Sequence, residues 1–378
     1  MPFNLGTTGI GSHPIGNPER IILDILESGI TVPYIPQLKT EEMVMQFHNQ
    51  LPGLVFQRGR VKLNVNTPNF EKQLKSFKDL LKLKTLLLSP RGIEVSPEYF
   101  RGLFLFPELL VQTPTHYRGI KCQMTGPITE AASIKIYPGN NKLIQNSELF
   151  DIIVGLSSEI AYWLSTFLIR VASANNIPKE NVILFIDEPL FPQAIESEIS
   201  YDEALEKISN VLKLVQCRTG IHICDNPISV IDRILQYPFD IFSYDAIKYP
   251  NSLKSVRIDI LQDYISRGGG IAFGITPNTP ESTFGIENIP SIMKGDLNPE
   301  DFLPTPDDLI QTFNQNIEPL EARGIPLQQL LSQSLITPAC GFRNFNIPDE
   351  EKGELFVKQL LQLQEQAAQK LRKEYDLI

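Results

Sequence analysis

The chain has 378 residues, 34 Lys+Arg against 44 Asp+Glu, and a formal net charge of −10. Hydrophobic residues are 42% and charged residues 21%, the balance of an ordinary soluble globular protein large enough to bury a sizeable core. The acidic surplus argues against a phosphate-tracking surface and so against nucleic acid as a partner. The most apolar long stretch, Ile160 to Ile169, is about half of a membrane span and contains Ser165 and Thr166, so no membrane association is expected. The N-terminus, MPFNLGTTGIGSHP, has neither a basic n-region nor an apolar h-region, so it does not read as a signal peptide, and a cytoplasmic location is expected. Four cysteines at irregular spacing are too few for a disulfide framework, leaving burial, metal binding or redox chemistry.

In chain order, short apolar or β-branched runs fall at Asn4–Ile10, Gly53–Phe56, Gly119–Met124, Val182–Ile186, Gly220–Cys224, Asp240–Tyr244, Ile271–Ile275 and Ser334–Thr337. Helical patterns lie between them at Pro18–Glu27, Phe70–Leu81, Leu143–Ala174, Tyr201–Gln216, Ile228–Leu235, Ser252–Ser266 and Pro306–Arg323. A last amphipathic helix spans about 350–375. Strands alternating with helices imply parallel βαβ units, and eight such runs favour a closed eight-stranded β/α (TIM) barrel over an open sheet. An open dinucleotide-binding sheet would announce itself with G-x-G-x-x-G, and Gly6-Thr7-Thr8-Gly9-Ile10-Gly11 has the wrong spacing. The whole chain, 1–378, reads as a single barrel domain with an elaboration around 65–119.

Chemistry in such a barrel belongs at the C-terminal ends of the strands. His222 and Cys224 stand two apart in Gly220-Ile221-His222-Ile223-Cys224-Asp225, so a strand points both to one face, where imidazole and thiolate can fill two corners of a zinc site. The competing reading is a buried histidine beside a core cysteine. Two later strand ends add ligand types: Cys340 in Pro338-Ala339-Cys340-Gly341, and Asp245 after Tyr244. A sulfur-rich set around one mouth favours thiol alkylation over water activation. Asp187 and Glu188 close the run Leu184-Phe185-Ile186; they are either substrate anchors or a helix cap. Gly9-Ile10-Gly11-Ser12 could hold an anion through its backbone N–H groups, or be a simple turn. His48 and His116 read as surface or structural residues, Cys122 and Cys217 as packing, with Cys217 late in a helix. No nucleophile elbow, Walker loop or H-E-x-x-H motif is present.

Taken together, Thr8-Gly9-Ile10-Gly11-Ser12, Met124-Thr125-Gly126-Pro127-Ile128-Thr129, Ile186-Asp187-Glu188-Pro189, His222-Ile223-Cys224 and Pro338-Ala339-Cys340-Gly341 occur in an order that resembles the catalytic, C-terminal barrel of cobalamin-independent methionine synthase. The wider superfamily includes uroporphyrinogen decarboxylase and the methylcobamide:coenzyme M methyltransferases. The resemblance implies a barrel with zinc at its mouth, moving a methyl group to a zinc-bound thiol. It implies His222, Cys224 and Cys340 as ligands, with Asp245 where methionine synthases carry a glutamate. It further implies Ile10, Gly11 and Ser12 as the seat of the substrate carboxylate and Asp187 as the catalytic-site carboxylate that binds the amino group.

Three departures qualify the resemblance. The sequence holds one barrel's worth of residues, so a core-only form without the N-terminal second barrel is expected. Met43-Val44-Met45-Gln46-Phe47 lacks the second amino-binding glutamate, and Gly274-Ile275-Thr276-Pro277-Asn278 lacks the acid histidine that serves a folate donor. The last loss makes a methylcorrinoid, free or protein-borne, the expected donor, because its cobalt leaving group needs no proton. Homocysteine, giving methionine, is the first choice of thiol. A coenzyme M-like thiol, a metal-free tetrapyrrole decarboxylase and a non-catalytic zinc- or corrinoid-binding barrel are the other readings.

Overall fold

The computed structural model describes residues 3–87, 93–113 and 116–377. Among these residues lie ten strands: β1 (Gly6–Thr7), β2 (Leu54–Gln57), β3 (Arg60–Asn64), β4 (Ile120–Thr125), β5 (Lys135–Tyr137), β6 (Val182–Asp187), β7 (Arg218–Ile223), β8 (Ile241–Asp245), β9 (Gly270–Thr276) and β10 (Leu335–Pro338). Seven form one parallel sheet in the order β1-β10-β9-β8-β7-β6-β4, and the other three form a separate sheet, β2-β3-β5. The long helices pack on the outside of the larger sheet, as crossovers between parallel strands require.

Seven of the eight strand-like runs of the sequence fall in this larger sheet. The exception is Gly53–Phe56. It lies in β2, which pairs antiparallel with β3. Arg58 and Gly59, both at positive φ, make the two-residue turn between them, so the run is half of a hairpin.

The place this run was expected to fill is taken by the segment 31–37, Thr-Val-Pro-Tyr-Ile-Pro-Gln. Val32 N donates to Thr7 O (2.9 Å) and Gln37 N to Gly11 O (2.9 Å) on the β1 side. On the β4 side Lys121 N donates to Pro33 O (3.0 Å) and Ile35 N to Lys121 O (3.0 Å). The two edges of the seven-stranded sheet are therefore joined through this segment. Pro33 and Pro36 have no N–H to give, so the ladder is interrupted at both positions.

Local chemistry accounts for the principal helices. Helix Pro18–Glu27 starts with Asn17 accepting from Arg20 N and with Pro18 in its first turn. Helix Glu350–Glu374 is capped by Asp349, with acids in the first turn and Arg372 and Lys373 in the last, as the helix dipole favours. It fastens to the start of the chain: Gln364 Nε2 donates to Thr8 O (2.9 Å), Thr7 Oγ1 donates to Glu365, and His13 bridges Glu354 (3.0 Å) and Tyr34 OH (2.7 Å) in a fully buried chain.

Helix Ser147–Ala174 carries the apolar stretch noted at 160–169. At 28 residues it is long and apolar enough to cross a membrane, but 61% of its most apolar window is buried inside the protein. Within the 65–119 stretch lie helices Phe70–Leu87 and Arg101–Gln112, while 88–92 and 114–115 are outside the described residues. The helix at Tyr201 ends at Leu212, so Cys217 sits in the loop before β7 rather than in a helix.

Candidate metal centre and substrate pocket

Strand register builds the site. Thr125 pairs with Asp187, Asp187 with His222, and His222 with Ser243, one residue from each of four neighbouring strands at the same level. Paired residues in a parallel sheet face the same way, so this row shares one face. Cys224, two residues past His222, returns to that face. Cys340 arrives from beyond β10, where the register shifts between Thr337 and Pro338.

The result is a cluster in which one ligand atom each from His222, Cys224 and Cys340 lie within 4.8 Å of one another. His222 is buried, and its two nitrogens have different surroundings. Nδ1 lies 3.0 Å from Ser243 Oγ, which fixes the ring, whereas buried Nε2 has no hydrogen-bond partner. An orphaned imidazole nitrogen beside two sulfurs is an uncompensated cost unless something occupies the space between them. One nitrogen and two sulfurs suit zinc, and an oriented second nitrogen is the usual support for a metal-bound histidine. The residues present therefore fit the metal.

The two thiols are coupled. Cys224 is held far below the ordinary thiol range, first by the hydrogen bond from Cys340 and then, against the cost of burial, by His222. The same contact, with burial, pushes Cys340 up.

Asp245 does not join the cluster. Its Oδ1 accepts from Ile247 N (3.1 Å) and Lys248 N (2.8 Å), closing the turn after β8. An aspartate side chain used this way is an Asx turn. Asp187 does reach the pocket. Its Oδ1 is buried with no hydrogen-bond partner, and burial pushes the carboxyl up to about 6 despite His222 and Lys121 nearby.

Glu188 has a different task from its neighbour. It is fully buried, and its carboxyl accepts from Ile128 N (3.0 Å), Thr129 N (2.8 Å) and Thr129 Oγ1 (2.7 Å). It thus caps helix Pro127–Ser133 from the end of the neighbouring strand, and burial pushes it up to about 8. Of the two carboxylates ending β6, Glu188 serves the helix and Asp187 faces the cavity.

That cavity, of about 160 Å³, is lined by Ile10, Ser12, Asp187, His222, Cys224 and Cys340, with further residues from two loops. Gly11 is at φ +133°, and a Cβ there would meet the Gln123 side chain at 2.5 Å, so its backbone sits close against β4. The contributions unseen in the sequence are Gln37 at the end of 31–37, Glu41 just after it, and Arg343 just past Cys340, while Met43 and Gln46 come from the segment noted above for its missing glutamate. Glu41 is tied down by Leu38 N (2.9 Å), Arg101 N (2.8 Å) and Gln46 Nε2 (3.0 Å). No motif signals Gln37 or Glu41, which reach the cavity because 31–37 lies between β1 and β4.

The remaining histidine and cysteine expectations divide. His48 is fully buried, with Nε2 3.0 Å from Ser157 Oγ and Nδ1 3.3 Å from Glu130, so it is structural and not on the surface. Cys122 is buried in β4, and burial pushes its thiol up to about 12.

No protein-family model matches the chain. No curated protein matches it by sequence. Solved structures do match. A B12-independent methionine synthase from Shewanella sp. W3-18-1, in complex with selenomethionine, superposes with a TM-score of 0.57 at 14% identity, over 99% of this chain and 99% of that one. A methyltransferase from Methanosarcina mazei superposes with a TM-score of 0.50 at 12% identity, over 94% and 93%. At these identities the likeness is one of fold, and it extends over almost the whole of each chain.

Proposed function

We propose that this chain is a zinc-dependent methyltransferase that methylates a small thiol, homocysteine first among them, to give methionine. The observation that carries the reading is the convergence of His222, Cys224 and Cys340 within 4.8 Å beside the unpaired carboxylate of Asp187. Its setting, on a fold shared with a B12-independent methionine synthase and a methyltransferase, supports it. On the same reading the fold is a single-domain, eight-stranded barrel whose second strand is the proline-interrupted segment 31–37, and the protein works in the cytoplasm.

A zinc ion held by His222, Cys224 and Cys340 would supply a Lewis acid that keeps a coordinated substrate thiol deprotonated at neutral pH. The chain's own residues do the rest. Ser243 orients His222. Asp187 offers an unpaired oxygen to the substrate's amino group, and Ile10, Gly11 and Ser12 hold its carboxylate. Asp245, one methylene shorter than glutamate and engaged by its own turn, is assigned as a ligand only when that turn opens. Glu188 sets the helix at 127–133 and takes no part in binding.

The donor we assign is a methylcorrinoid rather than methyltetrahydrofolate. Among the described residues no histidine lines the pocket except His222, so no separate imidazole stands ready to protonate a folate leaving group. The partners on this reading are the thiol and free or protein-borne methylcobalamin, with no nucleic acid or membrane.

Zinc is to be measured per chain in protein purified without chelator, for the native sequence, Cys224→Ser and Cys340→Ala. About one zinc in the native chain and loss in both variants is the expected result. The native protein is then assayed for transfer from methylcobalamin to homocysteine and to 2-mercaptoethanesulfonate. Zinc-free native protein, or zinc without transfer to any thiol, overturns the proposal.

A further inference from the structure

Arg343 is the one lysine or arginine on the lining of the cavity among the described residues. It stands three residues past Cys340 on a turn fixed from two sides. Phe342 N donates to Ser12 O (2.7 Å), and Asn278 Nδ2 donates to Gly341 O (3.0 Å). The turn is so close to Ser12 that a Cβ on Gly341 would lie 2.0 Å from Ser12 Oγ. The guanidinium reaches across the mouth to the opposite loop, where Nη2 donates to Lys39 O (2.8 Å) and Nη1 to Glu41 O (3.4 Å).

Those two contacts fix where the charge sits; the Glu42 carboxyl feels that charge, but its Oε2 accepts from Met45 N (2.8 Å) and it makes no ion pair with the guanidinium among the described residues. Both acceptors are backbone carbonyls, and among the described residues no carboxylate oxygen lies within 4.0 Å of the guanidinium. A guanidinium has five N–H donors, so the two carbonyls leave others unused. The competing acid in the lining, Glu41, has both oxygens engaged by Leu38, Arg101 and Gln46, and Gln46 in turn accepts from Gln37 Nε2 (2.9 Å). A positive group pinned on the lining of a cavity that also presents Ser12 is an arrangement that can recognise an oxyanion.

We propose that Arg343, with Ser12, selects a thiol that also carries an acid group, a carboxylate or sulfonate, with its sulfur directed toward His222, Cys224 and Cys340. The thiol end of this inference rests on the function proposed above; the acid end rests on Arg343 and can be tested apart from any methyl transfer. Arg343 is thereby a specificity-determining residue of the pocket.

The test is calorimetric binding to the full chain, as purified, of methionine, 4-mercaptobutanoate, 2-mercaptoethanesulfonate and 3-aminopropane-1-thiol. The last is homocysteine without its carboxylate. The native protein is expected to bind the acids more tightly than 3-aminopropane-1-thiol. The tighter of 4-mercaptobutanoate and 2-mercaptoethanesulfonate tells a carboxylate site from a sulfonate site. Arg343→Gln retains N–H groups for the loop carbonyls and removes the charge. It should weaken the acids by about tenfold to a hundredfold and leave 3-aminopropane-1-thiol within about twofold, with Arg343→Lys between the two. Equal weakening of all four ligands means that Arg343 only holds the loop, and overturns the inference. So does an Arg343→Gln protein that binds every ligand as the native one does, or a native protein that shows no preference for the acids. Acids bound through Arg343 in a protein that methylates no thiol would remove the proposed function and leave this inference standing.

Discussion

Gly126→Ala should be far more damaging than one added methyl suggests. The Gly126 backbone is extended (φ −79°, ψ 158°), so alanine meets no conformational obstacle there. The obstacle is Glu188: an ideal Cβ would lie 2.2 Å from its Oε1, 2.3 Å from Cδ and 2.6 Å from Cγ. Glu188 cannot swing aside cheaply, because it is fully buried and its carboxyl accepts three hydrogen bonds from Ile128 and Thr129. Overpacking a core site costs about 1–3 kcal/mol. Breaking the cap adds about 1 kcal/mol for each hydrogen bond lost. A loss of about 4–6 kcal/mol is therefore expected if all three bonds are lost, read as unfolding free energy in urea followed by circular dichroism.

Glu188→Ala alone should cost about 3 kcal/mol by orphaning the same donors. The double variant should cost little more than that, because the new Cβ then occupies vacated space. This strong coupling is the signature of direct contact. Additive losses, or a Gly126→Ala protein within about 0.5 kcal/mol of native, would refute the reasoning.

Two further perturbations bear on the cavity. Ser243→Ala removes the partner of His222 Nδ1, and zinc affinity measured by chelator competition should fall about tenfold to a hundredfold with the fold intact; an unchanged affinity rejects Ser243 as the orienting group. Lys121 is fully buried in β4, with its Nζ on Gln123 Oε1 (3.0 Å), and burial lowers it from 10.5 to about 8 although Asp187 opposes the shift. Between pH 8 and 10.5 the unfolded chain holds this proton and the native chain does not, so native stability should rise across that window by up to about 3 kcal/mol. Lys121→Met should abolish that rise, and identical native and variant profiles of urea midpoint against pH would show that Lys121 stays charged.

The sequence spoke clearly where chemistry and strand ends coincide. His222 and Cys224 share a face because they are two apart at the end of an apolar run, and Cys340 follows another such run, so their meeting follows from a parallel sheet. Helix Pro18–Glu27 was legible to the residue because its cap and first-turn proline are local signals. The segment 31–37 was not, since its two prolines suppress the pattern by which strands are recognised, and Gly53–Phe56, a better-looking run, forms a hairpin elsewhere. Gln37 and Glu41 were invisible for the same reason, as nothing local places them until that segment is placed. Glu188 shows the limit from the other side. Its sequence admitted both a cap and an anchor, and only the approach of Ile128 and Thr129, some sixty residues away, assigns it.

The proline-interrupted seam has a mechanical consequence. Every other junction in the large sheet is a strand-to-strand ladder, whereas 31–37 is stitched to its neighbours around two residues that cannot donate. The chain leaving that seam carries Gln37, Glu41, Met43 and Gln46 into the wall of the cavity, and Arg343 clasps the same loop from the far side. A cage with one loosely tied stave opens along that stave. Widening the 160 Å³ chamber is therefore cheapest there, where Gln37, Glu41, Met43 and Gln46 rather than the three ligand-bearing side chains make the wall, so a molecule can be let in or out while His222, Cys224 and Cys340 keep their places.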